Sequence, residues 1–439
     1  MNFSDISTTR RNFLSLTAAA AGSLLLGCAA NPVTGKKQLM LVSEGEERRL
    51  DRENSPHQFS ADYGTVQDPH LVDYIQGVGS AMAAGTHRPG MPYRFVPLNA
   101  VYVNAYTFPA GSVGITRGIL LKLTSEGALA ALIGHELGHV NARHTAQAMS
   151  KNILTSLAVS GLTSAASDLG EATEKLAAGL GEVAAGALLA RYSRDNEREA
   201  DALALSYLLK AGYRPQGHTD LMDMLRGLSR SNPSAIELMF ATHPMSEERY
   251  RDSLKAISRL PEKSADLPLY TERYMDNTAR IRVQKDAINR MEKGQQMLSE
   301  GKYRDAEKLL VEALKRVPGD YAGLLLMAKC QLALENPDTA RRYALDASGV
   351  YPAEPQSLHV LGITELVLKK YDKAYDYFGK YRKILPGNTN TIFYQGLSAE
   401  GMKDRDRASS HYYSYLKKVN RGEKAQYAYG RLKEWGYIK

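Results

Sequence analysis

Apolar residues recur at helical spacing over most of this chain, and near its first quarter the spacing switches to alternation. Ser43 to Asn54 and Pro69 to Ala84 are helical by period. Tyr93 to Leu98 and Val101 to Phe108 alternate as strands do, and Ser112 to Thr116 reads as a further short strand. Behind the start signals Ser125 and Glu126, residues Ala128, Leu129, Ala131, Leu132 and Ile133 give one apolar helix face. Two Ala-, Gly- and Ser-rich helices follow, over about 146–166 and 172–192. The uncharged run from Asn152 to Ser167 is 16 residues, short of the roughly 20 that span a bilayer, and Glu182 interrupts the next helix. The pair reads as a hairpin packed by small residues, either covering a cleft or simply structural. A helix containing Glu197 runs to about Leu209 and stops at Gly212. Helices near 215–230 and 246–258, the second capped by Ser246, close this part of the chain.

The last third is periodic. Gly294, Ala328, Gly362 and Gly396 are each 34 residues apart, as are Ala306, Ala340, Ala374 and Ala408, and Pro318, Pro352 and Pro386. Three registers with one period define four tetratricopeptide repeats, starting near 287, 321, 355 and 389. Asn420 replaces the fourth proline, and Gly430 keeps phase, so 423–439 reads as a capping helix with Trp435 sealing it. Such arrays present a concave face to extended peptides or partner loops. The tyrosines of the third repeat (Tyr371, Tyr375, Tyr377, Tyr381) either line that face or serve the core. The expected plan is a domain over 43–260, a linker over 261–286 that begins with Pro261 to Pro268 and turns helical from Thr271, repeats over 287–422, and the cap. Because repeats contact mainly their neighbours, the domain is expected to fold without them.

Composition sharpens this. The 439 residues suffice for two or three domains with a sizeable core. The net charge of +8 is uneven: residues 287–439 hold 26 basic and 18 acidic side chains, which is the whole surplus. A basic array suits acidic partners, lipid headgroups or unfolded acidic segments. No nucleic-acid module is present. The two cysteines, Cys28 and Cys330, exclude a disulfide scaffold and thiolate zinc ligation. Cys330 falls in the first helix of the second repeat and reads as a small buried apolar residue.

The first 27 residues read as an export signal, not fold. Thr9-Arg10-Arg11-Asn12-Phe13-Leu14 resembles a twin-arginine signal, although two arginines also serve an ordinary n-region. Phe13 to Gly27 is a modest apolar stretch ending in Leu25-Leu26-Gly27-Cys28, which resembles a bacterial lipobox. In that reading Cys28 becomes the lipidated first residue, and residues 28–42 are the anchored tether; otherwise Cys28 is incidental. Ala29 is not the aspartate that retains enteric lipoproteins in the inner membrane, so the outer membrane is expected.

The candidate chemistry centres on His135-Glu136-Leu137-Gly138-His139. Two histidines four apart share a helix face and can reach one zinc ion, and Glu136 can take a proton from an activated water. Gly138, costly within a helix by about 1 kcal/mol, suggests close approach of another backbone. A metzincin continuation fails, because Ala142 and Thr145 stand where glycine and histidine are needed. His144 is rotated off the face and reads as a surface histidine. The better third ligand is Glu197; Asp201, one turn on, can accept the far N–H of a zinc histidine, while Glu199 points away.

Gly134 to Val140 with Arg143-His144, then Ser193-Arg194 through Glu197, Ala200 and Asp201, resemble the HtpX and CAAX prenyl protease family of zinc metallopeptidases. Asn104-Ala105, Pro109 and Gly111 agree, and Thr242-His243-Pro244 matches its soluble periplasmic branch. The resemblance covers about residues 31–260. It implies an α+β fold: a mainly helical gluzincin-like domain with a small β-sheet, here followed by the all-α repeat solenoid. It also implies one Zn2+ on His135, His139 and Glu197, Glu136 as the catalytic carboxylate, and a substrate-pairing edge strand, expected at Val113 and Gly114. Arg194, Tyr192 and His243 are candidate oxyanion donors; His243 is alternatively a fourth zinc ligand that latches the site, or a surface histidine by a turn. The implied role is an outer-membrane-anchored endopeptidase facing the periplasm, cutting misfolded or stalled envelope proteins, with the repeats docking substrate or outer-membrane assembly machinery. The rival reading is a repeat-based adaptor or chaperone of that assembly, with proteolysis secondary or latched.

Overall fold

The computed structural model describes residues 28–159, 192–231 and 237–438. The export signal and most of the small-residue hairpin fall outside them. A short antiparallel ribbon of β1 (Cys28–Ala30) and β2 (Lys37–Leu39) leads in. Then come α1 (Glu44–Ala61), α2 (Pro69–Ala84), β3 (Arg94–Leu98), β4 (Ala105–Thr107), β5 (Ser112–Thr116), α3 (Arg117–Leu120), α4 (Glu126–Asn141), α5 (His144–Val159), α6 (Arg194–Lys210), α7 (Gln216–Ser231), α8 (Glu237–Thr242) and α9 (Glu247–Ser258). No helix among the described residues is long and apolar enough to cross a membrane.

Ser43 caps α1 through Glu46 N, as its hydroxyl predicts. The helix outruns the expected end at Asn54 and passes through Pro56. Pro56 forfeits one backbone hydrogen bond, but continuing the helix buries Phe59 against Tyr106 and Phe108 of the sheet region. Of the expected strand over 101–108 only Ala105 to Thr107 pairs. The sheet order is β3-β5-β4, with β5 parallel to β3 and antiparallel to β4. Val113 and Gly114 are therefore paired on both sides, and β5 cannot accept a substrate strand; the edge beside α4 is β4.

α4 is buried along its whole length and packs most extensively against α6. A Cβ on Gly138 would stand 2.9 Å from Ala200 Cα, and one on Gly134 would stand 3.2 Å from Ala204 Cα. The glycine pair of one helix thus lies on the alanine pair of the other, which is the close approach expected at Gly138.

Residues 261–286 form a strap, not a free linker. After a 3-10 turn (Glu262–Asp266), α10 (Thr271–Asn277) and α11 (Ala279–Val283) lie on the domain. Gly127 N donates to Leu269 O, Arg214 N to Pro268 O, and the buried Tyr274 hydroxyl to Leu120 O at 2.6 Å. The strap feeds four helix pairs: α12 (Lys285–Ser299) with α13 (Tyr303–Arg316), α14 (Tyr321–Ala333) with α15 (Pro337–Val350), α16 (Gln356–Val367) with α17 (Tyr371–Ile384), and α18 (Thr389–Gly401) with α19 (Arg405–Leu416). They match the predicted registers, and α20 (Glu423–Glu434) caps them, with Trp435 stacked on Tyr412. The third-repeat tyrosines serve packing: Tyr381 is buried, Tyr371 lies on Gly401, and Tyr375 bonds His411. Cys330 is buried, and burial pushes its thiol up to about 11.

The array is not merely tethered. One hydrophobic cluster runs from Leu71, Ile119 and Leu129 through Ile288, Leu325 and Leu361. Arg117 grips Asp320, the N-cap of α14, through two bonds of 2.6 and 2.9 Å, with both side chains 5% exposed. Glu354 accepts from Ser60, and Lys329 donates to Tyr63 at 3.2 Å.

Candidate metal centre

α4 presents His135, Glu136 and His139; α6 presents Glu197 and Asp201; the turn between α8 and α9 presents His243. Ser125 caps α4, and a Ser193–Asn196 capping box starts α6, so both helices begin where their sequences dictate. All five acid and imidazole groups nearest the centre are buried: His135, Glu136, His139, Glu197 and His243. His135 Nε2 lies 3.1 Å from His139 Nε2 and 3.5 Å from Glu197 Oε2, and His139 Nε2 lies 3.4 Å from Glu197 Oε1. His243 Nδ1 is 3.4 Å from His135 Nε2 and 3.1 Å from Glu197 Oε1. Among the described residues these four form the one cluster able to hold a metal ion. With metal–ligand bonds of about 2.0–2.1 Å, tetrahedral ligand atoms stand roughly 3.3–3.4 Å apart, so the donor set fits zinc in both chemistry and spacing. Among the described residues both buried Glu136 oxygens lack a hydrogen-bond partner, with His243 Nε2 standing 3.9 Å from Oε1, so a bound water, substrate or cation would satisfy them.

The electrostatics suit such a centre. Burial drives His139 well below the usual imidazole range, so it is neutral, as a ligand must be. Burial would lower His135 too, but Asp201 and Glu197 outweigh it and hold it up, at about 10, so His135 must release a proton when its Nε2 takes a metal. Burial would raise Glu197 and Asp201; His243 and its neighbours hold the first, and Arg249 and His135 the second, far below the carboxylate range. Glu136 is raised by burial, toward the range useful to a general base.

Asp201 Oδ1 lies 3.0 Å from His135 Nδ1, in the predicted position. Arg249 of α9 was not foreseen. It bonds both Asp201 oxygens at 2.7 and 2.8 Å, lies 2.7 Å from Glu197 Oε2, and donates to Pro244 O. No sequence spacing marks it, because α9 meets α6 only through the fold. His144 is not a surface histidine: it is 1% exposed and bonded to His139 and to Glu199, which does not point away. Tyr192 stacks on His139 with ring centroids 3.8 Å apart, and its hydroxyl meets Thr145. Arg194 is exposed and lies on the wall of an open cleft of about 600 Å³ that Tyr192, Gln147 and Met245 also line. Cys28 sits in β1, away from this centre in sequence and element.

Residues 69–257 match the family description "Peptidase family M48", and residues 297–359 match "Tetratricopeptide repeat". The beta-barrel assembly-enhancing protease of Yersinia pestis is 25% identical, the alignment covering 80% of this chain and 77% of that one. Its Vibrio cholerae counterpart is 30% identical over 54% of this chain and 47% of its own length. Metalloprotease YcaL of Escherichia coli is 33% identical over 38% of this chain and 64% of its own. The chain thus spans about half the length of the Vibrio relative.

Proposed function

Because the chain carries a peptidase family M48 domain that runs on into tetratricopeptide repeats, we propose that it is a zinc-dependent endopeptidase of the bacterial cell envelope. The observation that carries this is the convergence of His135, His139 and Glu197 beside a buried Glu136 that lacks a hydrogen-bond partner among the described residues. Zinc held by those three residues would polarise a scissile carbonyl and acidify the attacking water. Glu136 takes that water's proton and returns it to the leaving amine, its raised affinity for protons matching the second task. Asp201 fixes the His135 ring, and Arg249 fixes Asp201. The edge of β4 is the strand on which an extended substrate can pair. The resemblance of the motifs implies that the substrates are envelope proteins that have misfolded or stalled, and in this reading the basic repeat array docks them or their assembly machinery. Cys28 is the lipid anchor, on the periplasmic side of the outer membrane.

One observation favours the rival emphasis on an adaptor with a latched protease: His243 stands in the same donor cluster as His135, His139 and Glu197, where it could serve as a fourth ligand. Zinc analysis with peptide hydrolysis tests the main reading. Wild-type protein should hold one zinc and cut an unstructured peptide, Glu136→Gln should hold zinc without cutting, and Glu197→Ala should lose both. Stoichiometric zinc in Glu197→Ala would remove Glu197 from the site. If Glu136→Gln also restores envelope integrity fully in cells, the adaptor reading prevails. Cys28→Ser should move the protein from membranes to the soluble envelope fraction.

A further inference from the structure

The two histidines of the centre are anchored differently. His135 rests on a carboxylate, Asp201. His139 has a second histidine at the equivalent atom: His139 Nδ1 and His144 Nδ1 are 2.9 Å apart. His144 Nε2 in turn lies 3.1 Å from Glu199 Oε2. The chemistry of the contacts assigns the protons. His139 Nε2 faces His135 and Glu197 and must offer a lone pair to a cation there. His139 Nδ1 therefore carries the proton and donates it to His144 Nδ1. That leaves the His144 proton on Nε2, where it donates to the Glu199 carboxylate. No other arrangement of two neutral rings satisfies both contacts while keeping His139 Nε2 free.

Resting on the metal-centre reading above, we propose that His144 and Glu199 are positioning residues. They form a two-step hydrogen-bond chain that fixes the tautomer and orientation of His139 and strengthens it as a ligand.

The turn that delivers His144 is built for this. α4 ends at Asn141, and Arg143 takes a left-handed conformation, φ 59°. That reversal folds the next residue back onto the helix it has just left. Arg143 is fixed by Glu47 Oε1 and Val42 O, each at 2.9 Å. Thr145, next after His144, meets the Tyr192 hydroxyl, and Tyr192 covers the His139 ring face. Edge and face of His139 are thus both set by one turn. A carboxylate that polarises the intervening imidazole makes it a better acceptor, which raises the electron density His139 offers at Nε2.

The test is zinc affinity by chelator competition on the full-length protein, with ring-nitrogen NMR of the histidines in the zinc-loaded form. His144→Phe should weaken zinc binding about 10–100-fold, the usual cost of such a supporting partner. Glu199→Leu should weaken it several-fold, and Glu199→Gln, which still accepts a hydrogen bond, should restore most of the loss. NMR of the wild type should find His139 protonated at Nδ1 and His144 at Nε2. Wild-type affinity in both His144→Phe and Glu199→Leu would overturn the proposal, as would a His144 proton on Nδ1. If His144→Phe does not fold, the two variants of the half-buried Glu199 and the wild-type spectrum decide. A wild type that binds no zinc overturns the metal centre itself, an outcome distinct from unaffected variants.

Discussion

His243 is the one side chain of the donor cluster that comes from neither α4 nor α6. Its backbone N–H still closes α8 on Met239 O at 2.7 Å, while the ring turns inward to Glu197 and His135. Pro244 prevents the helix from continuing, and Arg249 holds Pro244 O. Neutral imidazole is a good zinc ligand, so as a fourth ligand His243 would take the place an attacking water needs. His243→Ala should raise basal peptidase activity while zinc stays bound. Turnover that falls about 10²–10³-fold with zinc retained would instead make His243 an oxyanion donor, and unchanged activity would leave it without a role.

Among the elements, the contact of α4 with α6 determines whether ligands from two helices meet. Gly134 and Gly138 leave room for Ala200 and Ala204, and that spacing puts Glu197 within reach of both histidines. Gly138→Ala should gain helix propensity of about 1 kcal/mol but lose more, since the new methyl meets backbone at 2.9 and 3.0 Å. Overpacking costs about 1–3 kcal/mol. The variant should unfold at lower urea and bind zinc more weakly. Gly77→Ala is the control: Gly77 lies on the exposed face of α2 with nothing within 4 Å, and the change should stabilise by about 1 kcal/mol. Equal effects of the two changes would show that the helix contact does not set the site.

At the scale of the molecule, repeats and domain share one core, which bears on the expectation that the domain folds alone. Deleting 287–439 exposes Ile119 and Leu120 and strands Arg117 without Asp320. The shortened protein should aggregate or unfold early, and Asp320→Ala should cost about 3–5 kcal/mol, the penalty for an unpaired buried charge. Calorimetry should show one cooperative transition for the full chain; two transitions, with Asp320→Ala moving only one, would mean separate units. The same interface carries a pH dependence. Burial raises Glu354, although Ser60 and the Gln356 N–H offset part of it. A carboxyl raised on folding favours the folded state while protonated, and that contribution fades as pH climbs from the unfolded value through the folded one. Glu354→Gln should therefore stabilise the protein at neutral pH, and the gain should vanish below about pH 4, near the ordinary Glu value. A gain that persists at that pH would argue against burial of charge as the cause.

Some of this was legible in the order of residues because it is local. A 34-residue period needs no fold to be read, and all four helix pairs fall on it. The i, i+4 pairs His135–His139 and Glu197–Asp201 lie on single helices, so spacing alone put each pair on one face. The helix starts at Ser125 and Ser246 were equally local. What failed to read out depends on chain reversals and on contacts distant in sequence. A helical projection placed His144 on the surface, but such a projection ends where the helix does, and the left-handed Arg143 breaks the phase. The order of strands made β5 central because strands that are neighbours in sequence need not pair. Arg249 reached Asp201, and the strap and repeats joined the domain's core, because burial rewards whatever apolar and charged surface the fold brings together. Sequence fixes the chemistry a helix face can offer; only tertiary packing decides which faces meet and which side chains support them.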